Sequence, residues 1–141
     1  MSKELTEKYN TLLLEAKHSD KKRKDIVQKF IMFACEELGI KKCPHVALNK
    51  REDFGPKYKS FGYFDLDENK IVVASSNRNL ADILRTLAHE MVHYKQKQNN
   101  EISLDNATEA GADGSEIENE ANSKAGVLLR KFGRSNPDIY E

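Results

Sequence analysis

Residues 87–94 read Leu-Ala-His-Glu-Met-Val-His-Tyr, and three of these eight could do chemistry. His89 and His93 stand four apart, so a helix would set both imidazoles on one face. That is the spacing by which two ring nitrogens can hold a single metal ion. Glu90 directly follows the first histidine and would lie near a metal-activated water without being a ligand, the place of a general base in hydrolysis. A bare His-x-x-x-His is often two surface histidines. The full His-Glu-x-x-His arises by chance in well under about one chain in a hundred of this length, and its flanks, Thr-Leu-Ala before and Met-Val between, are too apolar for an exposed helix.

A catalytic zinc site normally has three protein ligands and an open fourth position. No third histidine follows His93, and neither Cys35 nor Cys43 lies downstream, so carboxylates are the candidates. They crowd into Gly114–Gly126, where Glu118, Ala121 and Asn122 stand at i, i+3 and i+4 and share a helix face. Glu118 could bind the ion, the small Ala121 would let two helices approach, and Asn122 could accept a hydrogen bond from a liganding histidine and fix its tautomer. Glu120 is the alternative ligand, although it points about 200° away from Glu118 and is expected to face solvent. Ser115-x-x-Glu118 also reads as a capping box, a competing use for the same carboxylate. Two imidazoles, a carboxylate and an open position suit Zn²⁺.

These side chains need rigid elements to hold them. Leu80, Leu84, Leu87, Met91 and Tyr94 make one apolar stripe, extended by Ala81, Ala88 and Val92, so a helix is predicted from Asn79 to about Lys97 with the histidines on its far side. A second helix is predicted from Ser115 to about Phe132, followed by a tail from residue 133 or 134 to 141. Upstream, helical spacing predicts one helix over about 3–17. Another, capped by Ser19 or Asp20, carries Ile26, Val27, Phe30, Ile31, Ala34 and Leu38 and stops at Gly39. Pro44–Leu48 reads as a short extended segment. Phe61, Tyr63 and Phe64, a reversal at 65–69, and Ile71–Val73 read as a hairpin. The polar segment 99–114 is long enough to suggest a functional loop. Helices, then strands, then helices imply one α+β domain over 1–141.

Composition narrows the function classes. Lysine plus arginine equal aspartate plus glutamate at 23 each, so no global field draws the chain to nucleic acid or anionic membrane. The run Lys21–Lys24 reads mainly as a solvated helix face. No apolar run approaches the roughly 18 residues of a membrane span, and the first ten residues lack a signal-peptide core. Two cysteines suggest a reducing compartment. The expectation is a cytoplasmic protein, or one acting in a host cytoplasm if phage-encoded.

His-Glu-Met-Val-His followed by Glu-x-x-Ala-Asn at 118–122 resembles the gluzincin-type zinc peptidases. It is similar in particular to the ImmA/IrrE-type small metallopeptidases and to SprT-like proteins of tailed phages. The likeness covers roughly residues 60–130. It departs after the second motif, where Leu128-Leu129-Arg130 stands in place of the usual Leu-Met-Pro, and no helix-turn-helix is apparent. The resemblance implies a reduced zincin with a small twisted sheet over the active-site helix, Glu118 as third ligand and Asn122 as its neighbour's partner.

The function expected is a zinc-dependent peptidase acting on a protein or peptide, with Glu90 as general base. A non-catalytic zinc-binding scaffold and a nucleic-acid-associated accessory are the alternatives, the latter disfavoured by zero net charge. Gly62 and Tyr63 are candidate substrate contacts, since their strand could pair with an extended peptide. Tyr63, His45 or a residue of 99–114 could stabilise an oxyanion, with His45 more readily structural.

Overall fold

The structure is a computed structural model that describes residues 20–50, 61–65, 68–99 and 115–140. The predicted helix over 3–17 and nearly all of segment 99–114 lie outside the described residues. Helix α1 runs Asp20–Leu38, strand β1 His45–Asn49, β2 Gly62–Asp65 and β3 Lys70–Ala74. Helix α2 runs Leu80–Gln98 and α3 Glu116–Ser135, and a 3-10 turn closes the set at Pro137–Tyr140. This is the expected α+β composition.

The local signals act as anticipated where they are described. Gly39 adopts φ +70°, and the Ile40 N–H reaches back to the Cys35 carbonyl at 2.8 Å, a left-handed stop that ends α1. Asn79 caps α2, its side chain accepting the Asp82 N–H at 2.9 Å. Asp82 in the first turn and Lys95 and Lys97 in the last complement the helix dipole.

The sheet has the order β1-β3-β2 and is mixed: β1 runs parallel to β3, and β2 pairs with it antiparallel. The register sets the faces. Ile71 and Val73 are fully buried in the main core with Val46, Leu48 and Phe64 against them, whereas Val72 and Ala74 meet Ala47 on the opposite face. One face of the sheet therefore lies on the helices. There Phe64 meets Tyr94 of α2 edge-to-face at 5.6 Å. On the other side of the core Phe30 of α1 packs edge-to-face on Phe132 of α3 at 5.1 Å.

Gly62 sets how closely β2 can approach α2. A Cβ there would come within 2.6 Å of Thr86 Cγ2 and 3.2 Å of the Val72 carbonyl, and 3.7 Å from Glu90 Cγ. Gly62→Ala is therefore expected to lift β2 off the helix and cost about 1–3 kcal/mol of stability. A urea titration showing an unchanged midpoint would contradict that packing.

The predicted tail is not a loose end. Helix α3 continues three residues past Phe132, and the 3-10 turn buries Ile139 completely. The Tyr140 ring lies on Gly133, where a Cβ would stand 2.7 Å from its hydroxyl. Burial of the Ile139 side chain contributes about 1.5–3 kcal/mol toward holding this turn on the core.

Candidate metal centre

Helices α2 and α3 form the most extensive helix–helix interface among the described elements. Ala121 and Ala125, both buried, let them approach. Across this seam His89 Nε2 stands 2.7 Å from Glu118 Oε1 and His93 Nε2 stands 3.1 Å from Glu118 Oε2. The two Nε2 atoms are themselves 3.1 Å apart. Donor atoms around a tetrahedral zinc ion stand about 3.3 Å apart, so this group, whose ligand atoms all lie within 4.8 Å of one another, could hold a metal ion. Their side chains are mostly buried, at 21%, 12% and 17% exposure.

The capping box resolves without conflict. Ser115 Oγ accepts the backbone N–H of Glu118 at 3.1 Å and caps α3, while the Glu118 carboxylate turns to the histidines. One residue supplies its backbone to the helix start and its side chain to the site.

Hydrogen bonds behind the histidines decide what their inner nitrogens can do. The Gln96 amide donates to the Ile117 carbonyl at 2.9 Å and to Glu120 Oε1 at 3.0 Å, which turns its oxygen toward His93 Nδ1 at 2.8 Å. An oxygen accepts only, so Nδ1 is the protonated nitrogen, and a neutral His93 presents a lone pair at Nε2. That lone pair faces a carboxylate oxygen and a second imidazole nitrogen, a gathering of electron-rich atoms suited to a cation. The Asn122 side chain is a hydrogen-bond partner of His89 that acts to raise its pKa. Burial first, and His93 second, lower the His89 pKa, favouring the neutral ring that binds metal.

Gln96 was not foreseen from the sequence. It is 1% exposed, and its one sequence cue is a polar residue three positions after His93 on a helix otherwise packed there. Its bond to Glu120 also corrects the picture of that residue. Glu120 does not simply face solvent: it joins Gln96 and Lys124 at the helix seam and is not part of the donor group. Gln96→Leu is expected to weaken metal binding at this group by about 10–100-fold, measured by competition for added zinc with a chromophoric chelator. Affinity equal to wild type would remove Gln96 from this role.

Glu90 is buried at 8% exposure. Desolvation, with the Glu118 charge adding to it, pushes its pKa up from 4.5 to about 8. It borders a cavity of about 360 Å³ whose floor is His89, Glu90 and Thr86, with Phe61 and Gly62 on one side and Asn122 and Ala125 on the other. Arg78 braces this wall. Its guanidinium bonds the Thr86 hydroxyl at 2.8 Å and the carbonyls of Ala74 and Asp82, and it lies 4.4 Å over the Phe61 ring. Compared with protein-family models, curated proteins and solved structures, the chain finds no match.

The remaining candidates separate clearly. Gly62 reaches the cavity through close packing. Tyr63 pairs with Val72 on the sheet face turned away from the helices and does not line the cavity, because side chains alternate along β2. His45 is exposed at the start of β1, with β3 between its strand and β2. Tyr94 gives its hydroxyl to the Lys42 carbonyl at 3.0 Å. In the Lys21–Lys24 run, Arg23 donates to the Arg78 carbonyl at 2.7 Å, so the run is not wholly a solvated face. No described helix is long and apolar enough to cross a membrane.

Proposed function

We propose that the chain is a zinc-dependent peptidase of reduced zincin architecture. The observation that carries this reading is the convergence of His89, His93 and Glu118 on one point with the Glu90 carboxyl buried beside it. The resemblance of His-Glu-x-x-His and Glu-x-x-Ala-Asn to gluzincin-type peptidases supports the same assignment. Bound at these three residues, zinc would supply Lewis acidity to a carbonyl and acidify water.

The chain's own groups do the rest. Gln96 and Asn122 hold the two imidazoles in orientation. Glu90, in its ionised form, takes a proton from the attacking water and returns it to the leaving amine. With a divalent cation held at the neighbouring donors, the Glu90 carboxylate would be favoured in that ionised form despite its burial. An extended peptide would cross the cavity between Phe61–Gly62 and Asn122–Ala125. β2 is an outer strand of the described sheet, as expected for a strand bordering that path.

The test is exposure of the zinc-loaded protein to a diverse peptide mixture, with new termini read by mass spectrometry. New termini that vanish on chelation and in Glu90→Gln support the proposal. Stoichiometric zinc without any new termini would favour a zinc-binding interaction protein instead.

A further inference from the structure

The cavity contains one charged side chain that the proposed hydrolysis does not use. Arg85 stands four residues before His89, so it shares that face of α2 and opens onto the same cavity. Its neighbours there other than His89 and Glu90 are uncharged: Phe61, Gly62, Thr86, Asn122 and Ala125. Arg85 is exposed and has no ion pair among the described residues. The adjacent Arg78 differs, since its guanidinium is spent on two carbonyls, a hydroxyl and an aromatic ring.

We infer that Arg85 is a specificity residue that selects substrates bearing a carboxylate close to the scissile bond; this rests on the peptidase reading above. A guanidinium forks onto a carboxylate through two parallel hydrogen bonds, and no other charge in the cavity is placed to do so. The spacing gives the position. Four helical residues separate Arg85 from His89, about 6 Å along the axis, and an extended peptide advances about 3.3 Å per residue. The recognised carboxylate therefore lies one or two residues from the bond held at the donors. It could be an aspartate or glutamate side chain within a longer peptide or the α-carboxylate of a chain end; the chemistry recognised is the same.

Binding can be read without turnover. Zinc-loaded protein is titrated with two probes of one length, a hydroxamate ending in a carboxylate and its neutral carboxamide counterpart. The acidic probe is expected to bind about tenfold more tightly. Arg85→Gln should reduce that advantage to less than about twofold, and Arg85→Glu should invert it. In a cleavage arm, peptides with internal glutamate or glutamine, each as free acid or C-terminal amide, separate the two sources of carboxylate. Equal affinity for both probes in wild type, or an undiminished preference in Arg85→Gln, overturns the inference. So does equal weakening of both probes in Arg85→Gln, which would make the arginine structural or a stabiliser of every substrate. Binding of the neutral hydroxamate checks the zinc site itself. Its failure to bind would remove the peptidase reading and this inference with it, whereas its binding without acid preference removes only the inference.

Discussion

Replacing Glu118 with alanine is expected to abolish stoichiometric zinc binding, while Glu120→Ala leaves it in place. Glu118 offers both oxygens to the imidazoles at 2.7 and 3.1 Å, whereas Glu120 is held by Gln96 and Lys124. A structural zinc site of four ligands is worth about 10–16 kcal/mol, hence roughly 3 kcal/mol per ligand and more than a hundredfold in Kd. His89→Ala should behave like Glu118→Ala. The measurement is zinc content after dialysis together with chelator competition, with circular dichroism checking that each variant is folded. Retention of one tightly held zinc by Glu118→Ala would sink the ligand assignment. Loss in Glu120→Ala alone would transfer the role to that residue.

Glu90→Gln is expected to do two opposite things. Zinc should remain at wild-type stoichiometry while hydrolysis falls by about 10²–10⁴-fold, the usual contribution of a positioned general base. Metal-free stability should change in the other direction. The native Glu90 pKa of about 8 lies above its ordinary value of 4.5, so the folded state binds more protons between those pH values. Stability contributed by this group is full below about 4.5 and is lost as pH rises through about 8. The penalty is on the order of 3–5 kcal/mol, because the carboxyl must then ionise in a buried position. Glutamine has no such step. The difference between metal-free wild type and variant should therefore grow in the variant's favour from pH 5 to pH 8, read as urea midpoints at each pH. A constant difference across that range would mean that Glu90 ionises without cost. Full peptidase activity in the zinc-loaded variant would reject the general-base role.

Much of this site could be read before any fold was known, because helical periodicity is a local property. The 3.6-residue period alone separates His89 and His93 from the stripe of Leu80, Leu84, Leu87 and Met91. It likewise aligns Glu118 with Ala121 and Asn122, and the cap residues Gly39, Asn79 and Ser115 mark helix ends through bonds made within a few positions. What needed the folded chain was each choice between residues equally plausible along the sequence. Glu118 rather than Glu120 meets the histidines because of how α3 is rotated against α2. Gln96 gains its role through partners 21 and 24 residues away. Tyr63 leaves the site, and Gly62 stays at it, through the register of β2 on β3. The parallel pairing of β1 with β3 joins strands that are not neighbours in the chain. A single helix can declare which of its faces is polar, but rotation, register and burial depend on surfaces brought together from distant parts of the chain, and tertiary packing settles them.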